Sequence, residues 1–118
     1  YAGAREIDNL IAIIDLNGQQ IDGPVSEVLP QGDVAAKWKS FGWEVLEMNG
    51  NDMNDILSVM EFARSKSGQK KPVMILMHTV MGYGVDFMSG THHWHGVAPN
   101  DAQAAQALAQ LPETHGDY

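Results

Sequence analysis

The sequence predicts an α/β fold, part of a doubly wound parallel sheet with helices on both faces, and three observations predict it. Two short runs, Leu10-Ile11-Ala12-Ile13-Ile14 and Val73-Met74-Ile75-Leu76-Met77, are apolar on both parities, as strands covered on both faces must be. Between them, two segments with helical spacing enclose a second, less apolar strand from Trp43 to Met48, which makes Val73 to Met77 the third. Strand, helix, strand, helix, strand is the order that right-handed crossovers turn into a parallel sheet.

Each element has its own local reason. The first run is β-branched and too short for a useful helix, and it empties without a spacer into "DLNGQQIDG", Asp15 to Gly23. After an irregular stretch to Gly32, Asp33 can cap a helix in which Val34, Trp38 and Phe41 recur at helical spacing, and Gly42 ends it. These apolar residues are expected in the core. Asn51 or Asp52 can cap the next helix, whose Met53, Ile56, Leu57, Met60 and Ala63 form a stripe that stops at Gly68. Core filling is the expected role of its methionines, and of Met74 and Met77 in the last strand. Lys70 and Lys71 form a solvated linker, and Pro72 opens the third strand. Residues 79–100 are a long loop rich in glycine and histidine, and Asp101 is expected to cap an alanine-rich helix to Leu111. Three strands cannot cover this much apolar surface, so further sheet is expected from segments not in this chain. The start at Tyr1, without methionine and close to a hydrophobic strand, fits that expectation.

Composition excludes several classes. With 118 residues the chain is one domain's worth, and its formal net charge of -8 leaves no basic stripe for nucleic acid or an anionic membrane. The absence of cysteine removes disulfides, thiolate metal sites and a thiol nucleophile, leaving an intracellular, cytoplasmic location as the default. No apolar run approaches a membrane span of roughly 18 residues.

In open parallel sheets ligands collect outside the carboxyl ends of the strands. Both unusual loops, Asp15 to Gly23 and Thr79 to Asn100, leave such ends, so they can share a pocket. As a turn, the first is ordinary, since Asn-Gly and Asp-Gly are common turn dipeptides. As a metal site it offers the neutral oxygen of Asn17 and exposed backbone carbonyls, which suit magnesium when a ligand's phosphates complete the octahedron. The second loop carries "GTHHWHG", Gly90 to Gly96. His92, His93 and His95 lack an obvious fourth ligand for zinc, and presentation of imidazoles to an anion is the preferred reading. His93 and His115 are expected at the surface, and His78, inside the third strand, is expected to be a hydrogen-bonded structural residue. Trp94 can pack the loop down or meet a partner.

"NLIAIIDLNGQQIDG", "KWKSFGWEVLEMNGND" and "THHWHGVAPND" together resemble the carboxyl-terminal half of the diphosphate-binding domain of transketolases, over nearly the whole chain. The "WHG-x-APND" ending is most similar to the amino-terminal subunit of transketolases split into two chains. The resemblance implies a thiamine diphosphate site clamped by Mg2+ or another divalent cation such as Ca2+. It implies that Asn17 and the backbone carbonyl of Gln19 are metal ligands, that Ile21 lies against the cofactor, and that His95 reaches the diphosphate and the sugar substrate. Asp15 and Gly18 then shape the turn. The family's Gly-Asp-Gly triplet does not precede Asn17 here, so an upstream segment is expected to supply it. A companion subunit is expected to bring the pyrimidine-binding domain and the activating glutamate. The implied activity is transfer of a two-carbon ketol unit from a ketose phosphate to an aldose phosphate. Val97 interrupts the usual continuation after the histidine-glycine pair, which leaves open an enzyme for an unusual sugar phosphate. A non-catalytic α/β interaction module is the remaining alternative.

Overall fold

The computed structural model describes residues 1–112, so the surface position expected for His115 lies outside the described residues. In chain order, strand β1 (Ile11–Leu16) leads into a small hairpin, β2 (Gln19–Gln20) and β3 (Gly23–Pro24), and one helical turn, α1 (Val25–Val28). Then follow α2 (Val34–Ser40), β4 (Glu44–Asn49), α3 (Met53–Ser65) and β5 (Val73–His78). A long loop with a 3-10 turn at His92–Trp94 leads to α4 (Asp101–Gln110).

The most apolar strand takes the middle of the sheet. The order is β1-β5-β4, and β5 pairs in parallel with both neighbours. Only a strand without polar side chains in its interior tolerates cover on both faces and both edges, and Val73, Met74, Ile75 and Leu76 are all buried. Residues in register share a face, so Val73, Ile75 and Met48 meet α3 through Ala63, with Ile56, Val59 and Met60 packed around them. Asp52, rather than Asn51, caps that helix by accepting from the Asn54 amide.

Several expectations need correction. Phe41 is 69% exposed because it is the C-cap residue of α2, past the last turn that meets the sheet; Trp38 instead packs edge-on against Trp43 at 5.1 Å. Met53 and Leu57 are also exposed, since they lie on the flank of α3 beside the Ile56–Val59–Ala63 line that faces the sheet. Asn100, not Asp101, caps α4: it forms a capping box with Gln103, which satisfies two end amides reciprocally. Asp101 then occupies the first turn, where a negative charge suits the helix dipole.

The molecule is a thin slab of 52 × 40 × 18 Å. Its radius of gyration of 17.6 Å exceeds the roughly 13 Å of a compact 100-residue domain. The outer edge of β1 has no partner strand among the described residues, and Leu10 and Ile13 are exposed beside it.

Ile75 has no exposed surface and sits at the centre of this core. Ile75→Ala is expected to destabilise the fold by roughly 2–5 kcal/mol, the usual cost of a buried large-to-small change. Urea unfolding of the complete protein measures it.

Candidate cofactor site at the strand ends

The β1–β5 ladder sets the site. Leu16 registers with His78, so the residues that follow each strand, from Asn17 and from Thr79, emerge side by side. The turn after β1 is held by its own polar groups. Asn17 Oδ1 accepts from the Gln19 amide at 2.9 Å, and Asn17 Nδ2 donates to Asp15 at 3.1 Å. Gly18 takes φ +73 in open space, a conformation that favours glycine, and its carbonyl accepts from Val25 to close the hairpin. Gln19 lies opposite Pro24 in register. Proline has no N–H, so that partner cannot occupy the Gln19 carbonyl.

The histidine loop is folded tightly onto itself. Gly90 donates to the Met81 carbonyl at 2.7 Å, and a Cβ on Gly82 would lie 2.3 Å from the Met88 carbonyl oxygen. Trp94 packs downward, its indole N–H on the Phe87 carbonyl at 3.0 Å and its ring edge-on to Phe87 at 5.4 Å. Thr91 caps the 3-10 turn, and the His95 amide donates back to His92. Asp86 and Gln110 exchange two hydrogen bonds of 2.7 Å, tying the loop to the end of α4. A long bond of 3.4 Å from Gln19 Nε2 to the Gly90 carbonyl joins the two loops.

The result is a cleft of about 390 Å³ lined by Asn17, Gln19, Gln20, Ile21, Asp22, Met81 and His95. Asn17, Gln19, Ile21 and His95, the residues singled out in the sequence, therefore meet around one space. Ile21 is 67% exposed, an apolar side chain without protein cover. A larger cavity of about 570 Å³ lies against the same turn, bounded by apolar groups such as Ile14, Leu16, Val25 and Val34. The smaller cleft has the chemistry, because a histidine, His95, lines it together with the amide side chains of Asn17, Gln19 and Gln20.

The other histidines go elsewhere. His93 is exposed with its ring 4.2 Å from that of His92, and His78 pairs with Glu47 at 2.9 Å, both half-exposed or more. Among the described residues no three histidine, aspartate or glutamate side chains converge on a cation site. The turn itself offers neutral oxygens, and Asp22 is the one carboxylate among the residues that line the cleft. Asn17 Oδ1 has a second lone pair and the Gln19 carbonyl is unclaimed by its cross-strand partner, a donor pair that fits a hard divalent ion. Sequence reading missed the Asp86–Gln110 clasp and the hydroxyl of Thr79 on Asp15. Only the second had a signal, since Thr79 follows β5 as Asn17 follows β1.

Amide groups and a histidine gathered at parallel strand ends are what a ligand-binding α/β domain presents there. Residues 1–114 match the family described as "Transketolase, thiamine diphosphate binding domain", and the chain belongs to that family. It is 40% identical over 108 residues to one subunit of the apulose-4-phosphate transketolase of Phocaeicola vulgatus, across 92% of this chain and 38% of that protein. It is 37% identical over 111 residues to the 6-deoxy-6-sulfo-D-fructose transketolase subunit SqwG of Clostridium sp. (strain MSTE9), across 94% of this chain and 40% of that one. The chain thus spans about two-fifths of these relatives. Among solved structures it is similar to transketolase from Campylobacter jejuni subsp. jejuni, with a TM-score of 0.82, 30% identity and coverage of 92% of this chain and 17% of that one. Transketolase from Leishmania mexicana gives a TM-score of 0.80 at 28% identity, over 92% and 16%.

Gln110→Ala removes both bonds of the clasp without touching the cleft. Faster amide exchange from Asp86 through Trp94, with the β5 amides unchanged, is the expected outcome in hydrogen-exchange mass spectrometry.

Proposed function

We propose that this chain supplies part of the thiamine diphosphate site of a transketolase, a transferase that moves a two-carbon ketol unit from a ketose phosphate to an aldose phosphate. The observation that carries the proposal is the meeting of Asn17, Gln19, Ile21 and His95 on one cleft at the carboxyl ends of β1 and β5. In this reading Asn17 Oδ1 and the Gln19 carbonyl bind Mg2+, or another divalent cation such as Ca2+. An upstream Gly-Asp-Gly segment adds the aspartate, and the diphosphate completes the shell.

Charge explains why a cation is needed. The chain is acidic, with fifteen Asp+Glu against seven Lys+Arg, and a divalent ion neutralises a diphosphate where basic side chains are scarce. When bound, thiamine diphosphate supplies the carbon nucleophile and electron sink for breaking the bond beside a ketose carbonyl. The protein groups orient and shield. Ile21 offers an apolar wall, while a ring nitrogen of His95 donates to anionic oxygen or passes a proton at the sugar. A companion subunit carrying the pyrimidine-binding domain and activating glutamate completes the enzyme; relatives named as subunits support a two-chain assembly. Sugar phosphates as substrates fit a cytoplasmic enzyme of carbohydrate metabolism, of the pentose phosphate type.

An unusual sugar substrate is a second reading. The names of the two relatives, for apulose-4-phosphate and for 6-deoxy-6-sulfo-D-fructose, favour it, as does the half-exposed Val97 inserted after His95-Gly96. Turnover of the complete enzyme with its companion subunit, using xylulose 5-phosphate beside modified ketoses, separates the two. No ketol transfer from any donor would leave a non-catalytic module as the remaining reading.

Asn17→Ala is expected to weaken both Mg2+ and thiamine diphosphate in the assembled enzyme. Unchanged affinities in titration calorimetry would remove Asn17 from the metal. For His95→Ala the expected result is a transfer rate lowered by roughly 100- to 10,000-fold, the typical worth of a positioned acid or base, with cofactor still bound. Steady-state kinetics identical to wild type would take His95 out of the reaction.

A further inference from the structure

Asp15 is not a metal ligand in this reading, yet both its carboxylate oxygens are engaged at the strand ends. One accepts from the Thr79 hydroxyl and the other from Asn17 Nδ2 at 3.1 Å. On the far side of the same amide, Asn17 Oδ1 accepts from the Gln19 amide at 2.9 Å. An asparagine side chain has two ends of nearly equal shape and opposite chemistry: the oxygen binds a cation, and the NH2 group cannot. An ionised carboxylate only accepts hydrogen bonds, so Asp15 selects the NH2 end of Asn17 and leaves the oxygen for the turn.

We propose that Thr79 is a positioning residue for the metal-binding amide: by holding Asp15, its hydroxyl fixes which atom of Asn17 faces the cation. The inference rests on Asn17 being a metal ligand. Asp15 is exposed, and a surface carboxylate with one partner is free to swing to water. A second bond, from the residue that follows β5, removes that freedom. The ladder makes the contact possible: Asp15 registers with Met77, and strand alternation puts Thr79 on the face of Met77. The threonine methyl points elsewhere, against Gly50, where an added Cβ would lie 2.5 Å from it. Hydroxyl and methyl therefore serve different neighbours, and substitution can separate them.

Thr79→Val keeps the methyl and deletes the hydroxyl, whereas Thr79→Ser does the reverse. Mg2+ is titrated calorimetrically into the complete enzyme, with saturating thiamine diphosphate and the companion subunit present. Thr79→Val frees Asp15, the outer partner of Asn17, and is expected to weaken Mg2+ binding by up to about the 10- to 100-fold that loss of such a partner costs, with Thr79→Ser binding as wild type does. A merely structural role would follow the methyl; Thr79→Ser weakened with Thr79→Val unchanged, or neither changed, overturns the proposal. If Thr79→Val does not assemble, Thr79→Ala compared with Thr79→Ser isolates the hydroxyl, and equal affinities overturn it. Wild-type enzyme that binds thiamine diphosphate without any Mg2+ would overturn the metal assignment itself, and the positioning role with it.

Discussion

The parallel ladder between β1 and β5 is the constraint on which the rest depends. Two strands far apart in sequence run in the same direction in register, from Ile11 with Val73 to Leu16 with His78. Parallel pairing puts both carboxyl ends at one edge, so a polar turn after one strand and a glycine-rich loop after the other become neighbours. An antiparallel pairing of the same strands would have sent Asn17 and the histidine loop to opposite edges. The ladder in turn depends on β5 being apolar enough to sit in the middle, with Ile75 fully buried.

At that edge the two loops are held by their own hydrogen bonds. The Asn17 turn is closed by hydrogen bonds to Asp15, Gln19 and Val25, and the loop across from it is pinned by Trp94 on Phe87 and by Gln110 on Asp86. Such bonds individually contribute little in exposed surroundings. Their effect is geometric, since each removes a torsional freedom that a ligand would otherwise have to freeze on binding. The chain has net charge -8 and seven Lys+Arg, so basic side chains are scarce around this edge.

The uncovered surface follows a pattern. Leu10 and Ile13 are exposed along the outer edge of β1, and Met53 and Leu57 along one flank of α3. An unpaired strand edge beside apolar side chains is the kind of surface that another strand and helix cover. The chain spans about two-fifths of the relatives it matches, and its smallest dimension is 18 Å.

The sequence by itself determined the sheet strands, the longer helices and the fold class, whereas the segment that holds β2, β3 and α1 reads as irregular. Two-sided apolar runs identified β1 and β5, helical spacing identified α2 and α3, and the segments around Asn17 and His95 carried the family resemblance. Local chemistry was enough there, because periodicity and turn residues are properties of neighbours along the chain. It did not determine which positions on a helix stripe reach the core. Met53, Leu57 and Phe41 have the right spacing but lie outside the arc the sheet covers, and that arc depends on where the sheet ends. The short hairpin of β2 and β3 and the Asn100 cap were likewise settled by hydrogen bonds between residues a few positions apart that compete with equally plausible neighbours. Above all, only the tertiary structure decided that Thr79 meets Asp15 and that His95 and Asn17 line one cleft. These contacts join residues more than sixty positions apart, and what brings them together is strand register, which no local pattern encodes.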